Sequence, residues 1–114
     1  MSRFRSGVLH GEEVAALFDD AQERGYALPA VNIIGTNSLN ATLETAASVG
    51  SPVIVQLSNG GAAFYAGKSL KLDQQAGAVH GSVSAALHLP GMAKTCGASG
   101  RLHADHWART IPVT

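Results

Sequence analysis

The alternation of helical periods with short apolar runs constrains the fold of this chain more than any other feature. Val53-Ile54-Val55-Gln56-Leu57 is the clearest strand, rich in β-branched side chains that fit a pleated surface. Upstream, Ala27-Leu28-Pro29-Ala30-Val31-Asn32-Ile33-Ile34 is a second apolar run, closed by Gly35. It lacks polar alternation, so it reads as a strand buried on both faces, with Pro29 at its start or on a free edge because proline cannot donate to a ladder. After Gly35, Thr36 or Asn37 is placed to cap a helix with Leu39, Leu43, Ala46 and Ala47 on one face, ended by Gly50 and Pro52.

Residues 1–10 carry no clear periodicity. From Gly11, Val14, Leu17, Phe18 and Ala21 fall at i, i+3, i+4 and i+7, Glu12 and Glu13 suit the positive end of a helix dipole, and Gly25 is a natural stop. This helix precedes any predicted strand and is free to cover one end of a sheet. Beyond Leu57, Ser58-Asn59-Gly60-Gly61 predicts a turn, followed by a long loop through Phe64, Tyr65, Gly67 and Lys68. Val79, Val83 and Leu87 then mark a helix face from about Gln74 toward Met92, which Pro90 and Gly91 should kink or shorten. Gly97 closes that segment, and Ala98-Ser99-Gly100-Arg101-Leu102 leads into His103-Ala104-Asp105-His106 at a third strand position.

Helix, strand-helix, strand-helix, strand predicts an α/β fold with a parallel sheet. Ligands in such folds gather at the carboxyl ends of the strands, where Asn32, Ser58 and the His103 to His106 tetrad fall. A length of 114 residues suits one domain, and 13 glycines suit close packing of helices on strands. Eight basic and eight acidic residues balance without a Lys/Arg cluster, which argues against nucleic acid and anionic membrane surfaces and for a small-molecule or protein partner. The lone Cys96 excludes an internal disulfide framework, and no secretory apolar region lies near Met1, so a cytoplasmic protein is expected. No apolar run approaches the roughly 20 residues that span a bilayer.

His103 and His106 are spaced to share a helix face but would point to opposite faces of a strand. Metal ligation needs further ligands from elsewhere, so spacing alone favours surface or hydrogen-bonding roles for both. Asp105 suits a general acid or base, a carboxylate that orients a metal ligand, or a cap for a following helix. Ser58 to Gly61 can cradle a phosphate or form a plain glycine turn, and Asn32 can bind a substrate hydroxyl or a loop carbonyl. His10, His80 and His88 have no partner at ligand spacing and read as solvated or helix-face residues, while Cys96 and Trp107 read as packing residues.

Several blocks together resemble the class II, metal-dependent fructose-bisphosphate aldolases. They are Ala27-Leu28-Pro29-Ala30-Val31-Asn32, Asn40-Ala41-Thr42-Leu43-Glu44-Thr45-Ala46-Ala47, Ser51 through Phe64, Ala66-Gly67-Lys68 and Leu102-His103-Ala104-Asp105-His106, in the family's order and spacing across most of residues 11–112. The resemblance implies a (β/α)8 TIM barrel that cleaves fructose 1,6-bisphosphate reversibly into dihydroxyacetone phosphate and glyceraldehyde 3-phosphate. It implies His106 as a ligand of a catalytic Zn2+, Asp105 as the catalytic acid/base on the aldehyde-derived oxygen, and Asn32 and Ser58 as contacts of a phosphorylated sugar substrate. It also implies a homodimeric parent.

A full barrel takes about 250 residues, so residues 1–114 are expected to be the N-terminal portion of one, a leading helix plus about three βα positions, and inactive alone. The family's remaining histidine ligands and second carboxylate are expected beyond Thr114. This sequence departs from the family pattern in three places. Gly100 and Arg101 are poor residues for a buried parallel strand, Pro90 interrupts a helix that is usually continuous, and Trp107 replaces a commonly small residue. Two alternatives stand beside the fructose-bisphosphate reading: a relative acting on tagatose 1,6-bisphosphate, and a non-catalytic remnant that pairs with another chain through its open strand edges.

Overall fold

Short segments that alternate between a period of two and a period of 3.6 must stack as sheet and helix layers to bury their apolar faces. The computed structural model of the chain, which describes residues 4–69, 71–72 and 75–105, shows these layers. In chain order they are β1 (Gly7–Val8), α1 (Glu12–Arg24), β2 (Ala30–Asn32), α2 (Thr36–Val49), β3 (Val53–Ser58), α3 (Asn59–Ala66), α4 (Ala76–Cys96) and β4 (Ser99–Asp105). The four strands form one parallel sheet in the order β1-β4-β3-β2. Val53, Val55 and Leu57 point from β3 into the core, where they meet Leu39 and Leu43 of α2, Ala62 of α3 and Leu89 of α4. The fold is therefore α/β with a parallel sheet, as the alternation predicts.

Where the periodicity is long, the expected helices form. Of the expected α1 face, Leu17 and Ala21 are buried and Val14 half-buried, but Phe18 is 51% exposed; the helix stops at Gly25, whose left-handed φ of 69° returns its N–H to the Ala21 carbonyl. α2 buries Leu39, Leu43 and Ala46. Its start differs from the expected Thr36 or Asn37 cap: Gly35 holds the cap position, and the Ser38 hydroxyl accepts from the Ile34 and Gly35 N–H groups at 3.0 and 3.2 Å.

Four expectations are corrected. β2 is not buried on both faces: only Ala30–Asn32 is strand, all three residues are exposed, and Val31 keeps 37% of its surface because β2 ends the sheet. The apolar run instead serves to place Ile33 in the core just past the strand, and Pro29 precedes the strand with its carbonyl accepting from Ile54 N–H at 2.9 Å. Residues 1–10, without period, contain β1, which is too short to show one. It is anchored by Gly7 and Leu9 N–H bonds to the Ala98 and Gly100 carbonyls, both 2.8 Å. Arg5 locks the entry to α1, donating to the Val8 carbonyl at 2.7 Å and to Glu13 at 2.7 Å. Its hydrogen bond, helped by the His10 N–H, holds the Glu13 carboxyl below its ordinary pKa.

β4 forms in spite of Gly100 and Arg101, and lies inside the sheet. A Cβ at Gly100 would sit 3.0 Å from the Val53 carbonyl oxygen, so glycine permits the close approach of β3. Arg101 donates to the Leu9 carbonyl at 3.3 Å, and the buried Ser99 hydroxyl to the Arg5 carbonyl at 2.7 Å, so the polar side chains carry their own partners.

The last correction concerns α4. Val79, Val83 and Leu87 are 49%, 52% and 77% exposed, whereas Ala78, Gly81, Ala85, Leu89 and Ala93 are buried. α3 lies so close that only small side chains fit between: a Cβ at Gly81 would overlap the Ala62 carbonyl, and one at Gly77 would touch Ala63. The helix runs from Ala76 through Pro90 to Cys96. Proline removes one N–H donor, and the carbonyl it leaves at Ala86 is at an exposed position where water can serve it. Among the described residues no helix is long and apolar enough to cross a membrane.

Two of the three α4 glycines, Gly81 and Gly91, separate packing from propensity, since nothing lies within 4 Å of a Cβ at Gly91. Alanine gains about 0.8–1 kcal/mol over glycine in a helix, while overpacking costs about 1–3 kcal/mol. Urea denaturation should show Gly91→Ala stabilised by up to about 1 kcal/mol and Gly81→Ala destabilised by about 1–2 kcal/mol. Equal stability of the two variants would contradict the close α3–α4 approach.

Candidate active site

Register partners in a parallel sheet share a face. Asn32 pairs with Gln56, Gln56 with His103, and Ser58 with Asp105. Since Val53, Val55 and Leu57 face the helices, these five polar residues lie on the other side of the sheet. Asn32, Ser58 and Asp105 are also the last residues of β2, β3 and β4. The structure therefore brings three of the four expected site residues to adjacent strand ends. The fourth, His106, lies outside the described residues, as does Trp107.

Ser58 ends β3 in extended conformation, and its hydroxyl oxygen accepts from Gly61 N–H at 2.9 Å. It caps α3, which begins at the next residue, so the expected turn and loop are corrected to a helix N-terminus. Gly61 fits because a Cβ there would lie 3.1 Å from the Ser58 oxygen and 3.2 Å from the Ile33 carbonyl. The first-turn N–H groups of α3 lack intrahelical partners and carry the positive end of its dipole, which favours an anion at this end. Asn59 then ties the start of α3 to Gln75, its Nδ2 donating to the side-chain Oε1 at 2.9 Å.

Sequence reasoning missed Gln56. Its Nε2 donates to Asn32 Oδ1 at 2.6 Å and to Asp105 Oδ2 at 3.4 Å, so one amide spans the ends of β2 and β4 from the strand between them. The signal was an amide inside an apolar strand, two residues before Ser58 and so on its face. His88, read as a helix-face residue, bonds Asn40 Oδ1 through Nε2 at 2.9 Å and joins α4 to α2. A groove of about 410 Å³ lined by Val31, Thr45, Val49 and Val53 lies on the α2 side of the sheet, away from these polar groups.

Among the described residues no group of three or more His, Cys, Asp or Glu side chains is placed to hold a metal ion. Zinc takes at least three protein ligands, so His103 and Asp105 do not make a zinc site between them.

A parallel sheet with α2, α3 and α4 on one side and polar groups gathered from successive strand ends on the other is built as part of a (β/α)8 barrel is built. Residues 12–113 match the family model described as fructose-bisphosphate aldolase class-II. The chain belongs to that family. It is 50% identical over 107 residues to a fructose-bisphosphate aldolase of Edwardsiella ictaluri, covering 94% of this chain and 30% of that protein. It is 50% identical over 108 residues to the class 2 fructose-bisphosphate aldolase of Escherichia coli, again covering 94% of this chain and 30% of the relative. The 1.85 Å crystal structure of fructose-bisphosphate aldolase from Campylobacter jejuni superposes with a TM-score of 0.84 at 48% identity, covering 92% of this chain and 29% of that one. The chain thus spans about 30% of the length of the curated relatives it matches, as an N-terminal portion and a partial barrel.

Ser58 has a capping role that can be separated from any role in binding. At an N-cap, alanine costs about 1 kcal/mol relative to serine and glycine only a few tenths. Thermal unfolding should rank Ser58→Gly close to the unsubstituted chain and Ser58→Ala below both. An Ala variant as stable as the unsubstituted chain would remove the cap from the account.

Proposed function

We propose that these residues are the N-terminal portion of a zinc-dependent aldolase that cleaves fructose 1,6-bisphosphate reversibly into dihydroxyacetone phosphate and glyceraldehyde 3-phosphate. The observation that carries this reading is the meeting of Asn32, Ser58 and Asp105 at three adjacent strand ends in a chain of the aldolase family. Asp105 is the acid/base. In cleavage its carboxylate takes the proton of the hydroxyl that becomes the aldehyde oxygen while the neighbouring carbon–carbon bond breaks, and the electron pair stays with the ketone fragment. In condensation the protonated acid returns that proton, so one group serves both directions.

Ser58 and Asn32 bind the phosphorylated sugar. The positive end of α3 beside Ser58 suits the phosphate charge, and an asparagine amide at a strand end suits hydroxyl or phosphate oxygens. His106 is this chain's zinc ligand, joined by donors from outside these residues. A zinc ion held there would supply Lewis-acid polarisation of the ketone, in place of a Schiff-base lysine. The whole enzyme works as a cytoplasmic homodimer in glycolysis and gluconeogenesis, and the 114 residues alone do not turn over substrate.

A coupled cleavage assay with added Zn2+ tests this, run on the chain alone and on its fusion to the part of the E. coli relative that follows the matched segment. The chain alone should be inactive. The fusion should show chelator-sensitive cleavage that falls about 10²- to 10⁴-fold on Asp105→Ala. Chelator-sensitive turnover by the chain alone would overturn its inactivity, and a folded fusion indifferent to Asp105→Ala would overturn the assigned role.

A further inference from the structure

Gln56 stands between two of the proposed site residues, and the chemistry of its bonds settles which atoms face which. An ionised carboxylate accepts hydrogen bonds and donates none, so the Gln56 atom 3.4 Å from Asp105 Oδ2 is its amide nitrogen. That nitrogen has two hydrogens, one for each neighbour. The Asn32 atom 2.6 Å away must then accept, which makes it the carbonyl oxygen. The carboxylate of β4 thereby sets the orientation of two amides, each of which could otherwise turn over with little change in shape.

We infer that Gln56 is a positioning residue that relays the polarity of Asp105 across three strands to Asn32. The relay leaves the other branch of each amide for a ligand: the Nδ2 donors of Asn32 and the Oε1 acceptor of Gln56. Paired donors suit phosphate or hydroxyl oxygens, and the acceptor suits a hydroxyl hydrogen. Together they suit a polyhydroxylated compound: an Asn32 amide turned the wrong way would face a ligand oxygen with its own oxygen, and a turned Gln56 would face a hydroxyl hydrogen with its NH2 group. Only the identity of that ligand as a sugar phosphate rests on the aldolase reading.

His103 is the register partner of Gln56, yet the hydrogen bond runs diagonally to Asp105, toward the strand end. This diagonal is what links Asn32 to the residue two positions further along β4. Ser58 bonds instead into the α3 cap and takes no part in the bridge.

The test is a cycle of variants in the isotopically labelled chain, reading the side-chain amide resonances of Asn32 and Gln56 by NMR. Asp105→Asn keeps the shape but can donate as well as accept, so it removes the fixed polarity. It should shift the Asn32 Nδ2 resonance, and that shift should be lost in the Gln56→Met background. Asn32→Ala, at an exposed edge position, gives a second reading that leaves the core intact: the Gln56 amide should respond both to it and to Asp105→Asn. Backbone resonances of α1 serve as the control for folding. An Asn32 shift of equal size in both backgrounds, or a Gln56 amide that responds to only one neighbour, would overturn the relay. The resonances do not depend on turnover, so the relay and the aldolase reading fail in different experiments.

Discussion

The ladder between β3 and β4 is the constraint on which the rest of the structure depends. It runs from Val53 opposite Gly100 to Ser58 opposite Asp105, and it decides which side chains share a face. A slip of one residue would turn Val55 and Leu57 out of the core or carry Asp105 and His103 toward it, and an unpaired charge in an apolar core is costly. Both faces therefore favour the same register. The apolar face holds the helices, and the polar face lines up Asn32, Gln56, Ser58, His103 and Asp105. Packing and site are two sides of one alignment.

Small residues do for the helices what register does for the strands. α3 follows β3 with no loop between them, so it must leave the strand end steeply and lie against α4. Gly77 and Gly81 provide the room, and the larger Val79, Val83 and Leu87 are left outside. The same economy appears at Gly61, where Ser58 and the Ile33 carbonyl crowd the first turn. Close approach at these points brings the N-terminus of α3 to the strand ends, beside the residues proposed to meet substrate.

Much of this was legible in the sequence because periodicity is a record of burial. α1, α2 and β3 repeat their apolar positions often enough to be read, and the order of elements carried the α/β fold. β1 was illegible because two residues have no period, and β2 misled because an edge strand can be apolar without being covered. α4 misled for a different reason: hydrophobicity ranks valine and leucine above glycine, but the distance to α3 admits only the smaller side chain. Gly60 and Gly61 read as a turn because glycine marks turns, and nothing local reveals that Ser58 caps a helix there. In the site, Asn32, Ser58 and Asp105 could be found from their places at strand ends. Gln56 showed only as an amide inside an apolar strand, and its partners were hidden because they lie on two strands distant in the chain, while His106 lies outside the described residues.

The ladder itself is open to a direct measurement, native-state amide hydrogen exchange followed residue by residue. The account predicts that the ladder amides in 54–57 and 101–104 exchange together in the slowest class, with the exposed edge β2 faster, since paired central strands open only with the whole fold. Exchange of 101–104 at the rate of an unstructured chain, while α2 and α4 remain protected, would contradict it: the helices would then be folded without the alignment that assembles the site.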